Sequence, residues 1–343
     1  MNVKTLKYFI ASVAMMSIAC SCGKNSLETP APETQSAITF SNVSTKAALD
    51  DIQNDGFGVW ALLDNSTVTD ELILNNAEVT YNSAIDSWEY SPLRYWVNES
   101  VFTFLAAYPY DESIYTLDKS NSSLNLSLSE TPSQQDYLMA TNMTDTSVED
   151  YSRTVDLQFR HILTSVSLNI WRENVKHNQD KIRIIKVTLS NIRKAGTYTS
   201  SNDLWTPSNE RLTLQRTYEG GSYDIGGAIV QSDGTLITGG VPAEPFNDVN
   251  LYLQNGLLLI PQTIDASNRV SLKVHYQLKR FDGEDKWEDV ELEAELPYGT
   301  WEPNRRYTYN VVLSSVKDIA FYYIQTKISP WGAPQVGGTI IIK

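Results

Sequence analysis

Hydrophobic and polar positions alternate along most of the chain beyond about residue 40. The clearest alternation covers residues 124–128, 155–159 and 166–170, where every second side chain is apolar. A period of two places these side chains on one face of a β-strand, so each run predicts a half-buried strand. Residues 57–63 and 101–108 are continuous apolar runs rich in aromatic and β-branched residues, which predicts more deeply buried strands.

The second half of the chain continues the same pattern. Its further predicted strands are residues 182–189, 251–253, 257–260, 270–278, 290–296, 307–313 and 320–328. Short strands separated by Gly, Pro, Asn, Asp and Ser predict an all-β protein built from sandwiches. No long helical stripe and no strand–helix–strand alternation is found, which disfavours a doubly wound α/β fold.

The length of 343 residues is suited to two domains. A polar stretch at residues 141–150 is the natural place for the boundary between them. We therefore expect an N-terminal β-sandwich at residues 38–150 and a C-terminal one at residues 151–343.

The first segment has the pattern of an export signal. Lys4 and Lys7 precede an apolar run at residues 8–19, which is too short to span a bilayer as a helix. Residues 1–19 are therefore predicted to be a signal peptide that is removed. Residues 20–37 are polar and contain two prolines, which is typical of a flexible tether.

The end of this signal resembles a bacterial lipobox, the motif whose cysteine becomes acylated. The motif is Ser17-Ile18-Ala19-Cys20, with Ser17 where the usual residue is leucine. Cys20 is thus the predicted lipidation site, and Cys22 is the alternative. An ordinary cleaved signal with two leftover cysteines also remains open. Acyl chains would anchor the protein, since each buried CH₂ contributes about 0.8 kcal/mol.

Charge and composition limit the partners and the kinds of site that the chain is expected to have. The formal net charge is −14, from 27 basic and 41 acidic residues, which argues against nucleic acid as a partner. The only cysteines are the two near the N-terminus, so a disulfide framework and a cysteine nucleophile in the globular part are excluded. With three histidines, no metal, cofactor or catalytic residue is predicted. The protein is expected not to be an enzyme.

Adjacent acidic residues and one histidine each allow a functional and a structural interpretation. Adjacent acids at Asp50-Asp51 and Glu284-Asp285 lie in turn-like settings, but the twelve-residue calcium-loop pattern is missing. His161 ends an alternating run and is interpreted as a structural imidazole.

The aromatic residues also allow two interpretations. Trp60, Trp88, Trp96 and Trp301 lie in or beside predicted strands, which favours packing. If such aromatics were exposed they could stack on sugars. A lipid-anchored glycan-binding protein at the cell surface is therefore the alternative function.

Several segments that are weak alone form a recognisable ordered set over nearly the whole mature chain. They are Phe57-Gly-Val-Trp60, Trp88-Glu-Tyr90, Arg94-Tyr-Trp96, Phe102-Thr-Phe-Leu-Ala-Ala-Tyr-Pro109, Asp136-Tyr-Leu-Met-Ala140, Val155-Asp-Leu-Gln-Phe-Arg-His161, Val166-Ser-Leu168, Leu257-Leu-Leu-Ile-Pro-Gln262, Trp301-Glu-Pro-Asn-Arg-Arg-Tyr307-Thr-Tyr309 and Ile328-Ser-Pro-Trp331. With these residues the sequence resembles the fimbrillins of the Bacteroidales, the subunits of type V pili, and most closely the fimbrillin-like lipoproteins.

The resemblance implies two tandem transthyretin-like Greek-key β-sandwiches and polymerisation by strand exchange. In that mechanism a protease at the outer-membrane surface removes the first strand. Here the removed strand would contain Ile38, Phe40 and Val43, and the cut would follow Lys46. The usual cut in the family follows arginine, which leaves the protease open, and Lys46 as a plain loop residue is the alternative.

The donor strand would come from the C-terminus of a neighbouring subunit. Its candidate residues are Val336, Ile340, Ile341 and Ile342, which follow or flank Gly337-Gly338 and form a largely β-branched run. An ordinary last strand of the second sandwich is the alternative.

The implied function is that of a structural or adhesive subunit of a surface fimbrium, as stalk, tip or anchor. The implied partners are other fimbrial subunits, the outer membrane through the lipid, and a host or bacterial surface receptor. The expected location is the cell outer membrane.

Overall fold

The structure is a computed structural model. It describes residues 36–44, 49–131, 135–149, 151–173, 181–218, 227–230, 236–238, 256–280, 285–313, 323–330 and 338–340. These residues form an almost entirely β-structure, so the predicted fold class is confirmed. The tandem transthyretin-like Greek-key arrangement remains a prediction.

The first half of the chain contains eleven described strands and two short helices. The strands are β1 (Thr39–Ser44), β2 (Phe57–Asp64), β3 (Glu71–Asn82), β4 (Ser87–Glu89), β5 (Val101–Tyr108), β6 (Tyr115–Asp118), β7 (Ser123–Leu128), β8 (Leu138–Asp145), β9 (Thr154–Gln158), β10 (Arg160–His161) and β11 (Thr164–Glu173). The helices are α1 (Leu49–Asp55) and a single 3₁₀ turn (Lys119–Asn121).

The described elements of the second half are all strands. They are β12 (Lys181–Arg193), β13 (Gly196–Thr199), β14 (Leu204–Pro207), β15 (Arg211–Thr217), β16 (Gly227–Val230), β17 (Leu236–Thr238), β18 (Leu257–Leu259), β19 (Gln262–Ile264), β20 (Ser271–Lys279), β21 (Glu288–Glu295), β22 (Gly299–Trp301), β23 (Arg305–Leu313), β24 (Tyr323–Pro330) and β25 (Gly338–Ile340).

The first core lies between a six-stranded sheet and a two-stranded one. The larger sheet has the order β10-β8-β5-β2-β3-β4, and the smaller sheet is the parallel pair β1-β9. Their apolar faces share one buried cluster, to which β5 contributes Phe102 and Phe104 and β9 contributes Val155 and Leu157. One face of β5 and one face of β9 thus lie in the same core.

The second core lies between a larger sheet and a four-stranded one. The larger sheet has the order β17-β16-β11-β23-β24-β25, with β18 also paired to β11. The other has the order β15-β12-β20-β21 and is antiparallel throughout. Apolar residues at alternate positions of β12 and β20 face this core, among them Ile184, Val187, Leu272 and Val274.

A third sheet joins residues from both halves of the chain. Its order is β14-β13-β7-β6, so β7 pairs with a strand about 70 residues later. Trp60, Tyr198, Trp205 and Leu258 belong to one buried cluster beneath it. The indole Nε1 of Trp205 donates a hydrogen bond of 2.6 Å to the main-chain oxygen of Ile162. The boundary near residues 141–150 stays a prediction, and both this sheet and the β1-β9 pair cross it.

The alternating runs are confirmed as strands β7, β9 and β11, and the continuous runs as β2 and β5. The run at residues 251–253 lies outside the described residues. Helix α1 differs from the prediction. Asp50-Asp51 was expected in a turn-like setting, but Asp51 lies in this helix. The helix buries Ile52 fully and is followed by Gly56, whose φ of +73° suits glycine.

Candidate strand-exchange groove

Strand β1 fills one side of the first core. Ile38, just before the strand, is 0% exposed, Phe40 is 4% exposed and Val43 is 6% exposed. Strict alternation would point Phe40 and Val43 to opposite faces. The pairing with β9 shifts register between Ser41 and Ser44, and this irregularity lets both apolar side chains face the core.

The backbone of this segment has partners on two sides. Along β9 the pairing is parallel and matches Phe40 with Val155. On the other side, Ile38 N–H donates to the oxygen of Arg94 at 2.8 Å, and Trp96 N–H donates to the oxygen of Ser36 at 3.1 Å. The segment is therefore inserted between β9 and residues 94–96.

The inner side of β1 rests on aromatic rings. The ring of Phe40 makes edge contacts with Tyr90, Phe57 and Phe104, at centroid distances of 5.4, 6.4 and 6.2 Å. Removing β1 would expose these three rings together with unpaired backbone groups of β9. The space left behind would be a long apolar groove suited to another β-strand.

The free energy gained by burying the apolar side chains of this segment is large relative to the stability of a typical domain. Burying the side chains of Ile38, Phe40 and Val43 is worth about 5–9 kcal/mol at about 1.5–3 kcal/mol each. A domain is stable by only about 5–15 kcal/mol in total. A first sandwich without β1 would therefore need a replacement strand to remain well folded.

Tyr90 links the groove to the start of β1. Its hydroxyl donates to the main-chain oxygen of Ile38 at 3.0 Å and accepts from the N–H of Arg94 at 3.1 Å. Burial raises the pKa of Tyr90 above its ordinary value, so the hydroxyl keeps its proton as a donor. The guanidinium Nε of Arg94 donates to the oxygen of Ile73 at 2.8 Å and ties this loop to β3.

The predicted cut falls between two described elements. Lys46 lies outside the described residues, between the end of β1 at Ser44 and the start of α1 at Leu49. On the far side of the cut, α1 is fixed to the core by Ile52. It is also fixed by a hydrogen bond of 2.9 Å from the Tyr108 hydroxyl to Asp55 Oδ2. Burial, followed by this bond to Asp55, raises the pKa of Tyr108 well above its ordinary value.

The candidate donor is partly described. Ile340 ends β25, which pairs antiparallel with β24 over three residues, from Gly338 to Ile340. Within the described residues β25 is the last strand of its sheet. Val336, Ile341 and Ile342 lie outside the described residues, as do both candidate lipidation sites, Cys20 and Cys22.

A cleft of about 600 Å³ adjoins β1. It is lined by Ile38 and Thr39 on one side, by Glu78 and Trp88 of the β3–β4 hairpin on another, and by Leu93. Trp88 packs its ring against Phe57 at 5.1 Å. The cleft leaves the flank of β1 open to solvent.

The described side chains that could bind a metal do not lie together. Within the described part of the chain, no three His, Cys, Asp or Glu side chains cluster as metal ligands would. His161 is buried, with Nδ1 2.6 Å from Asp136 Oδ2. No helix in that same part is long and apolar enough to cross a membrane.

The tryptophans follow the packing interpretation. Trp60, Trp96 and Trp301 are each at most 3% exposed, and Trp88 is half-buried against the first core. Trp96 also donates from Nε1 to the main-chain oxygen of Arg153 at 3.0 Å.

Sequence reasoning found β1 but missed the residues that hold it. Tyr90 and Arg94 follow Ile38 by more than 50 positions, and no local pattern connects them. The resemblance treated residues 88–96 as a strand pair. The structure has β4 at Ser87–Glu89 and then only an isolated bridge between Ala37 and Tyr95.

The fold and this groove define an all-β protein whose first strand completes a sandwich core. The family model described as "Fimbrillin-like" matches residues 34–331, and the chain belongs to that family. A comparison with curated proteins gave no match.

Solved structures share the fold. A fimbrial protein from Bacteroides vulgatus is 17% identical, with a TM-score of 0.63 over 87% of this chain and 99% of that one. A "putative cell adhesion protein" from Bacteroides ovatus is 16% identical over 88% of this chain and 99% of that one, with a TM-score of 0.49. One from Bacteroides uniformis is 14% identical over 88% of this chain and all of that one, with a TM-score of 0.44. The first likeness supports the fold.

Proposed function

We propose that this chain is a structural or adhesive subunit of a cell-surface fimbrium that assembles by β-strand exchange. The observation that carries the proposal is β1, whose apolar side chains are buried in the core although β1 belongs to only a two-stranded sheet. Membership in the fimbrillin-like family supports the same role. The chain has no enzymatic activity in this proposal, and its partners are other fimbrial subunits.

In the proposed sequence of events, a protease cuts after Lys46 and β1 leaves. The C-terminal strand of a neighbouring copy, with Val336 and Ile340 to Ile342, then enters the groove beside β9. Its apolar side chains would replace those of Ile38, Phe40 and Val43. Among the described residues, the donor would have to leave a three-residue pairing with β24.

Export and anchoring complete the proposal. The precursor would lose residues 1–19, carry lipid on Cys20 or alternatively on Cys22, and be held at the outer membrane until it is cut. A receptor on a host or bacterial surface would be a further partner. The mass of the mature N-terminus from outer membranes tests this step, since it reports lipid or a new end at Ala47.

The test of assembly is limited digestion of the purified precursor with a trypsin-like protease. We expect a ladder of SDS-resistant multimers to appear as residues up to Lys46 are lost. A Lys46→Gln variant is the matched control and should stay uncut and monomeric. Clean loss of these residues without multimers would contradict assembly by strand exchange.

The alternative, glycan binding through exposed aromatic residues, has less support. The tryptophans that suggested it are packed in cores, and Tyr298 is the exposed large aromatic side chain among the described residues, at 50%.

A further inference from the structure

The outer face of the sheet β15-β12-β20-β21 separates charge by strand. β21 carries acids on this face, namely Asp289, Glu291, Glu293 and Glu295, whereas β12 carries Lys181, Arg183 and Lys186. Strand β20 lies between them, so the two rows are about 10 Å apart at about 4.8 Å per strand. A basic row thus stands on a protein whose net charge is −14.

The basic row is not neutralised by its neighbours. On β20, Lys273 Nζ lies 3.7 Å from Glu291 and 3.6 Å from Glu293. Within the described residues, no carboxylate comes within ion-pair distance of Lys181, Arg183 or Lys186, the three cations of this row. Acids of β21 therefore balance β20 and leave β12 positive.

The strand pairing places a neutralised cation beside the basic row. Lys181 lies directly opposite Lys279, whose ammonium is ion-paired with Asp285. A register shift between Ile184 and Lys186 leaves Ile185 and Lys186 both half-buried on the outer side. Bulges of this kind re-aim side chains, and they are common beside functional sites.

Arg183 is held in a fixed position on this face. Its guanidinium carbon lies 4.4 Å from the ring centroid of Trp287, and its Nε is a buried donor with no hydrogen-bond partner. Lys279 Nζ lies 6.0 Å from the same ring. Stacking on the indole orders the guanidinium, whose rigid fork of N–H donors is suited to planar anions such as carboxylates.

We propose that this basic strip, defined by Lys181, Arg183, Lys186 and Trp287, binds an acidic glycan with carboxylate or sulfate groups. The three cations project from one strand, with the Arg183 guanidinium turned across β20 towards Gln277 and Trp287, so a single extended chain can reach all three. The acid row of β21 is about one Debye length from Lys181 and Lys186 at physiological salt, whereas Asp289 lies nearer Arg183, because Gln277 contacts both. A planar anionic membrane would instead approach those acids and be repelled. The inference goes beyond strand exchange and does not depend on it.

The test is binding of the purified protein to heparin and to hyaluronan, with neutral dextran as the reference, at physiological salt. We expect binding to at least one acidic chain and none to dextran. The double variant Lys181→Gln, Lys186→Gln should raise Kd about fivefold or more, from two charge contacts. Lys273→Gln removes one cation that is already paired and should change Kd less than twofold.

A second measurement distinguishes binding at this strip from nonspecific electrostatic attraction. The glycan should change the tryptophan fluorescence of the wild-type protein, and Trp287→Phe should abolish that change while leaving thermal unfolding unaltered. The proposal is overturned by absence of binding, by equal binding to dextran, or by equal weakening in Lys273→Gln. Binding to anionic lipid vesicles in place of the glycans would also overturn it.

Discussion

The hydroxyl of Tyr90 donates a hydrogen bond to the main-chain oxygen of Ile38 at a distance of 3.0 Å, across 52 residues of chain. The same hydroxyl accepts a bond from Arg94 N–H. One side chain therefore joins Ile38, just before β1, to the loop after β4. This contact of Tyr90 is polar and local. Most of the free energy that binds β1 comes instead from burial of its apolar side chains.

The Tyr90→Phe variant tests whether the hydrogen bond to Ile38 contributes less than the apolar contacts do. The variant keeps the ring that contacts Phe40 but removes the bond to Ile38, so the free energy of unfolding should fall by only about 1 kcal/mol. Urea unfolding of the uncut protein measures it. Tyr298→Phe, at an exposed site, is the control and should stay within about 0.5 kcal/mol of wild type. A loss no larger than that of the control would show that the bond contributes nothing.

Phe40→Ala should cost far more. It removes a ring that touches Tyr90, Phe57 and Phe104, and such truncations in a core cost about 3–5 kcal/mol. Thr39→Ala changes the exposed neighbour on the same strand and should be nearly neutral. Equal stability of the two variants in urea unfolding would mean that β1 is not bound through its apolar face.

The alkaline limit of stability should depend on Tyr276 in the second core. Burial raises the pKa of Tyr276 to about 12, whereas an unfolded tyrosine titrates near 10. The contribution of the neutral hydroxyl is fully present below pH 10, because both states are then protonated. It is lost as pH rises from about 10 to 12, because only the unfolded state releases the proton.

At pH 11 this loss is about 1.4 kcal/mol relative to pH 8. Tyr276→Phe should therefore lose about that much less than wild type between the two pH values, as measured by urea unfolding. Parallel losses in the two proteins would contradict the raised pKa.

The third sheet predicts cooperative unfolding. Because β7 pairs with β13 and Trp205 packs beneath both, the two halves of the chain share one buried cluster. We expect a single urea transition, by circular dichroism and by fluorescence, in the uncut protein. Trp205→Ala should lower the free energy of unfolding by about 3–5 kcal/mol. Two separate transitions in the wild type would favour independent sandwiches.

The sequence predicted individual strands well because alternation is a local property. The run at residues 124–128 identifies β7, but nothing in it indicates pairing with β13, which depends on tertiary contacts. The seven residues of α1 are too few for a helical period to stand out. Val43 was expected in one strand with Phe40, and it lies in β1, while the exchange of that strand stays a prediction. The bulge that turns it inward depends on its parallel partner β9.

The central claim is that another copy's C-terminal strand replaces β1, and an intermolecular cross-link tests it most directly. Cysteines are introduced by Tyr90→Cys, beside the site of Phe40, and by Ile340→Cys in the candidate donor. Cleavage after Lys46 removes both native cysteines, so any disulfide that an added oxidant forms in the product joins introduced cysteines, and peptide mapping identifies a link between positions 90 and 340. We predict a reducible link between different copies that forms only after cleavage. A link within one chain, or none in the cleaved product, would contradict strand exchange.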